Sequence, residues 1–179
     1  MKEITKDDIK ILLTEDDIQN KIKFLGERLN KDYGSKEELY LICVLKGSVM
    51  FTADLAKHLT MPVKMEFIRL SSYGSGMSSS GKVNAVDISL PDLNGKNVLI
   101  LEDIIDTGHT AKFLVDFLNH NFKVKTLKFC SLLDKKIKRE VDIDADYYCF
   151  EVDDKFLVGY GLDYDGNFRN IPYIGYIEN

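Results

Sequence analysis

The stretch Val98-Leu99-Ile100-Leu101-Glu102-Asp103-Ile104-Ile105-Asp106-Thr107-Gly108-His109-Thr110 holds the residues best suited to chemistry. Four apolar residues ending in two acids read as a strand buried on both faces, whose C-terminal end emerges where open α/β sheets place their ligands. Asp106, Thr107, Gly108 and Thr110 then offer small polar side chains and a pliable backbone, and Leu114, Phe117 and Leu118 mark the apolar face of a helix. Strand, tight turn and helix N-terminus together form an anion cradle. A helix dipole contributes roughly 0.3–2 kcal/mol, whereas micromolar binding needs about 8 kcal/mol, so several amides and both Thr hydroxyls must converge on the anion. Glu102 and Asp103 would repel that anion, and their natural partners are neutral hydroxyls or an intervening cation. A phosphorylated sugar meets both demands. An ordinary strand end with a helix cap is the competing reading, and Ile104 and Ile105, which continue the apolar run, weigh against it.

Those positions must be held by a scaffold, and the rest of the chain reads as one. Thr14 and Asp17 form a capping box opening a helix in which Ile18, Ile22, Leu25 and Leu29 share a face, with Gly34 past its end. Leu39 to Leu45 reads as a second buried strand, turned by Lys46-Gly47-Ser48 into a helix carrying Phe51, Leu55 and Leu59. This is a second strand-to-helix anion turn, and two such turns suit a ligand with two phosphate groups. Val63 to Leu70 and Val83 to Ile88 read as strands around a Ser/Gly-rich stretch, about residues 71–81, that cannot pack a core and is expected to be a flexible lid. Strands at Thr126 to Leu133 and Tyr147 to Val152 follow, and from Phe156 the Tyr-, Gly- and Asp-rich remainder, about 156–179, is expected to hood the strand ends. The alternation implies an α/β domain spanning 1–179, with a mostly parallel central sheet flanked by helices, a small hood and the lid.

The Glu102 to Gly108 wording resembles the phosphoribosyl pyrophosphate (PRPP) signature of type I phosphoribosyltransferases, in its hypoxanthine-guanine branch. Further motifs follow in that family's order: Leu45-Lys46-Gly47-Ser48 resembles its pyrophosphate loop, Ser72-Tyr73-Gly74 its mobile catalytic loop, and Leu132-Leu133-Asp134-Lys135 with Asp154 to Tyr160 its purine pocket. The resemblance implies Mg²⁺-assisted transfer of a 5-phosphoribosyl group from PRPP to N9 of a 6-oxopurine. It implies that Glu102 and Asp103 hold the ribose hydroxyls and, with Asp163, the metal. Asp106, Thr107, Gly108, His109 and Thr110 would bind the 5′-phosphate, largely through main-chain amides. Lys46, Gly47, Ser48 and Arg169 would take pyrophosphate, and Ser72 and Tyr73 would close over it. Asp106 is the candidate acid/base at purine N7. Lys135 supplies donors for a 6-oxo group and disfavours the 6-amino group of adenine. Phe156 would stack on the base, the Leu157 backbone would read its edge, and Asp163 would stand near metal and purine. Ser48 and Asp134 occur where some relatives have Gly and an apolar residue.

Composition sets bounds on this picture. A chain of 179 residues with 45% hydrophobic content suits one domain, burying roughly 70% of its unfolded surface. A net charge of −5 provides no basic face for nucleic acid. Lys135, Lys136, Lys138 and Arg139 form the compact basic cluster, expected to be a solvated face apart from Lys135. Apolar runs are too short to span a bilayer and no secretion pattern opens the chain, so a cytoplasmic location and no membrane partner are expected. Cys43, Cys130 and Cys149 sit in separate apolar segments and read as small buried hydrophobes. His58, His109 and His120 form no metal-ligand pair. Gly74-Ser75-Gly76 and Gly159-Tyr160-Gly161 each lack the third Gly of a dinucleotide loop, and no GxxxxGK[ST] occurs. A xanthine-preferring transferase, and a PRPP-fold regulator sensing nucleotide and binding RNA, stay open as alternatives. The family implies a homodimer or homotetramer.

Overall fold

The computed structural model describes residues 4–72 and 83–178. In chain order these form β1 (Ile9–Leu13), α1 (Glu15–Tyr33), β2 (Leu39–Leu45), α2 (Val49–Ala56), β3 (Val63–Ser72), β4 (Val83–Asp87), β5 (Asn97–Ile105), α3 (His109–Asn121), β6 (Thr126–Asp134), β7 (Tyr147–Glu151), β8 (Leu157–Val158) and β9 (Ile174–Ile177). The main sheet has the order β4-β3-β2-β5-β6-β7, with five parallel strands and β4 antiparallel at one edge. Tyr73 and the bulk of the expected lid lie outside the described residues. Ser72 is the last residue of β3.

Strand periodicity explains how one sheet feeds two cores. On β2 and β5, Leu39, Leu41, Leu99 and Leu101 face α1 and α2, where Ile18, Ile22, Leu29, Phe51 and Leu55 are completely buried. Their alternates Tyr40, Ile42, Val98 and Ile100 face α3, which buries Ala111, Leu114 and Leu118. Successive side chains point to opposite faces, so strands covered on both sides must be apolar throughout. Helix α1 starts where the sequence signals it: the Thr14 amide donates to Asp17 Oδ2 at 3.0 Å, and the Asp17 amide donates to Thr14 Oγ1 at 3.2 Å. It ends at Gly34, φ 71°.

Strand ends shift by one or two residues from the sequence reading, and two larger differences concern α2 and the hood. Helix α2 stops at Ala56, leaving Leu59 beyond it. Lys57, His58 and Leu59 each donate to the carbonyl three residues back, a tightened last turn ahead of Pro62. The hood is also more than a C-terminal segment. It is a three-stranded antiparallel sheet ordered β1-β9-β8, so the N-terminal strand supplies one of its edges, pairing Ile9 with Ile177. The hood turn is fastened to α2 by Tyr160, whose hydroxyl donates to Asp54 at 2.6 Å.

Candidate active site

The C-terminal ends of β2 and β5 lie side by side in the sheet and open into a cleft of about 230 Å³. Lys46, Gly47, Glu102, Asp103, Thr110, Asp163 and Arg169 line it. A smaller hollow of about 70 Å³ adjoins, lined by Glu102, Asp106, Thr107, Gly108 and Thr110 among others. Glu102 and Thr110 belong to both, so the two hollows share a wall at the end of β5. Larger hollows exist, such as one of about 560 Å³ beside Leu12 and Lys136. Lys136 is already paired there with Glu151 at 2.9 Å, whereas the hollows at the β2 and β5 ends bring together Glu102, Asp103, Asp106, Thr107 and Thr110.

Close backbone approach builds the larger cleft. The Leu45-Lys46 peptide bond is cis. Gly47 packs so tightly against Asp103 that an added Cβ would fall 1.6 Å from Oδ2. Arg169 donates to the Gly161 carbonyl at 2.6 Å and pairs with Asp163 Oδ1 at 2.5 Å. Asp163 Oδ2 accepts from the Gly166 amide at 2.7 Å. Both oxygens of Asp163 are thus engaged within the hood, which fixes Arg169 at the cleft. Ser48 departs from its expected role, because its side chain is completely buried and its hydroxyl donates to the Val44 carbonyl at 2.8 Å. Only its backbone is left for a ligand.

Burial governs the carboxylates. It pushes Glu102 well above the ordinary range, reinforced by the Asp103 charge and opposed by Arg139. It pushes Asp103 up to about 6, against amide hydrogen bonds to that carboxylate and the Arg169 charge. Two adjacent acids that resist ionising suit a cation or sugar hydroxyls between them. Among the described residues no three acids, histidines or cysteines are grouped as a metal cage. Glu102 and Asp103 are instead two adjacent carboxylates at the cleft, hard oxygen donors of the kind that hold a divalent cation together with substrate phosphates.

On the other side of the sheet end, Lys135 is only 6% exposed. Its ammonium donates to the Lys155 carbonyl at 2.9 Å and lies 3.7 Å from Asp154 and 4.0 Å from Asp106. Asp106 Oδ1 is buried with no hydrogen-bond partner. Phe156 is 51% exposed and meets Tyr164 edge to face, with ring centres 5.6 Å apart. Its exposed half leaves ring surface available for stacking. Leu157 itself is buried in β8. His109 does not line either hollow, and its ring pairs with Glu140 at 2.8 Å.

The basic cluster needs correction. Lys136 and Lys138 are exposed as expected, each paired with a carboxylate, but the Arg139 side chain is only 13% exposed and is bonded to the wholly buried Asp134. Its position in an irregular, charged segment gave no sign of burial.

Comparison with known proteins agrees with this geometry. The phosphoribosyl transferase domain family matches residues 9–165. A hypoxanthine-guanine phosphoribosyltransferase of Streptococcus thermophilus is 45% identical over 175 residues, covering 98% of this chain and 96% of that protein. Its counterpart in Streptococcus pyogenes is 47% identical over 169 residues, covering 94% of this chain and 93% of that one. The crystal structure of a hypoxanthine phosphoribosyltransferase from Staphylococcus aureus superposes with a TM-score of 0.91 at 41% identity, covering 99% of this chain and 96% of that one. With the signature turn, the paired acids and the sheet order all in place, the chain belongs to the phosphoribosyltransferase family, in its hypoxanthine-guanine branch.

Proposed function

We propose that this protein transfers the 5-phosphoribosyl group of PRPP to N9 of hypoxanthine or guanine, a purine-salvage reaction giving IMP or GMP and pyrophosphate. The observation that carries this reading is the shared wall of the two hollows at Glu102 and Thr110. A sugar bearing a phosphate at one end and pyrophosphate at the other fits that plan. The 5′-phosphate sits at Asp106 to Thr110, the ribose hydroxyls at Glu102 and Asp103, and the pyrophosphate between Lys46, Gly47 and Arg169.

The C1′–oxygen bond to pyrophosphate breaks while the C1′–N9 bond forms, so positive charge develops on the sugar ring between the two events. Ionised in the presence of a bound cation, Glu102 and Asp103 would place negative charge beside that ring, and Lys46 and Arg169 balance the departing pyrophosphate. Mg²⁺, held by Glu102 and Asp103 with substrate oxygens, would neutralise pyrophosphate charge. Asp106, whose Oδ1 lacks a partner, accepts the N7 proton released as N9 is alkylated. Lys135 donates to the 6-oxo group and Phe156 stacks on the base. Asp163 acts by orienting Arg169. No described helix is long and apolar enough to cross a membrane, and we place the enzyme in the cytoplasm as a homodimer or homotetramer.

The test is a panel of hypoxanthine, guanine, xanthine and adenine, each with PRPP, with and without Mg²⁺, following nucleotide and pyrophosphate. Metal-dependent turnover of hypoxanthine or guanine is expected. Preference for xanthine would reassign the base, and PRPP or nucleotide binding without turnover of any base would point to a nucleotide-sensing regulator.

A further inference from the structure

We propose that Arg139, with the backbone of Glu140, is a positioning element that presets the 106–110 turn so that its amides face a phosphate. The inference rests on the reading of that turn as the 5′-phosphate site. Arg139 reaches three acceptors from behind the turn: Nε donates to the Asp106 carbonyl at 3.2 Å, one terminal nitrogen to the Ile143 carbonyl, and the other to Asp134. The next residue extends the set, since the Glu140 amide donates to the Thr107 carbonyl at 2.9 Å.

The consequence follows from peptide geometry. In a trans peptide unit the carbonyl and the following N–H point in opposite directions. Drawing the Asp106 carbonyl back to Arg139 therefore turns the Thr107 N–H away from it, and drawing the Thr107 carbonyl back to Glu140 does the same for the Gly108 N–H. Both units belong to the wall of the 70 Å³ hollow. The Gly108 carbonyl is taken by the Lys112 amide at 2.9 Å, the first bond of α3, so the free His109 and Thr110 amides at the helix start continue the series. Gly108, at φ 88°, seats the turn on this support, for a Cβ there would lie 2.8 Å from Arg139 Cδ. Asp134 anchors the arginine from a wholly buried position. An anion meeting such a turn finds donors already oriented, and the ordering cost at binding is reduced.

The test measures the affinity of IMP and of inosine by calorimetry, so that their ratio isolates what the phosphate contributes. Arg139→Lys keeps the charge but cannot span three acceptors. Glu140→Pro deletes the amide donor, and Arg139, at φ −63° and ψ 123°, already has the extended conformation a following proline requires. Glu140→Ala removes only the carboxylate. The IMP-to-inosine ratio should fall at least tenfold in Arg139→Lys and Glu140→Pro and stay within threefold in Glu140→Ala, with inosine affinity unchanged throughout. A ratio that survives in both Arg139→Lys and Glu140→Pro, or that falls equally in Glu140→Ala, overturns the inference while leaving the phosphate site standing. A wild-type ratio near one overturns the reading of the turn itself, and the inference with it.

Discussion

The carbonyl oxygen of Gly47 occupies the place a side chain at Gly161 would need, since a Cβ there would lie 2.0 Å from it. Gly161 also has φ 100°, and Gly47 in turn leaves no room for a Cβ against Asp103. The hood turn at Gly161, the Gly47 turn and the Asp103 carboxylate are thus stacked in direct contact. Gly161→Ala should lower kcat/KM at least a hundredfold and reduce the melting temperature, combining roughly 1–3 kcal/mol of backbone strain with a clash against main chain. Gly34→Ala is the control, because Gly34 has φ 71° with open space around it. It should cost stability without loss of turnover. Wild-type kinetics in Gly161→Ala would show that the stacking does not constrain the site.

Asp103 makes stability depend on pH. Its folded-state value, raised by burial to about 6, exceeds an unfolded value near ~3.9. The folded state therefore holds the proton more tightly, and this contribution is complete below pH ~4 and lost as pH rises through about 6. Asp103→Asn should melt higher than wild type at pH 7.5, by up to about 3 kcal/mol, and match it at pH 4. An equal offset at both pH values, in thermal unfolding without ligand, would count against this origin.

Lys135 is held by the Lys155 carbonyl and flanked by Asp106 and Asp154. Removing a charge-assisted donor to the base costs about 1.5–3 kcal/mol, or roughly 10- to 200-fold in affinity. Lys135→Met should raise KM for hypoxanthine by that factor and leave KM for PRPP within threefold. Steady-state kinetics with each substrate varied in turn would check it, and a matching rise for PRPP would refute the assignment to the base.

Phe156 separates packing from binding. A half-exposed ring contributes little to the core, so Phe156→Ala should leave the melting temperature within about 2 °C. Loss of the stacking face should raise KM for the base about tenfold. A large drop in stability with unchanged KM would return Phe156 to a purely structural role.

What could be read in advance follows the reach of the interactions. Helix α1 was legible to its caps because Thr14, Asp17 and Gly34 act on neighbours a few residues away. Strands β2 and β5 were legible because burial on both faces demands unbroken apolar runs. The hood was only half legible: its C-terminal part was expected from Phe156 onward, but the strand Ile9–Leu13 that edges it has its partner, Ile174–Ile177, at the far end of the sequence. Arg139 was missed for the same reason, since its carbonyl partners at Asp106 and Ile143 belong to irregular backbone with no periodic signal. Ser48 shows the converse. Its motif marks a turn after a strand, but whether its hydroxyl points inward to Val44 is decided by packing.

The pairing of β1 with β9 has a consequence for biosynthesis. During translation β1 is made well before β9, so the edge of β1 waits unpaired while the strands of the main sheet are synthesised. Contacts of such long sequence separation form late, because loop closure precedes any gain from them. The main sheet has its strands by Glu151, whereas the hood that carries Asp163 and Arg169 closes only when Ile174–Ile177 docks. A nascent chain can therefore have a packed sheet and a formed 106–110 turn before Asp163 and Arg169 are brought to the cleft.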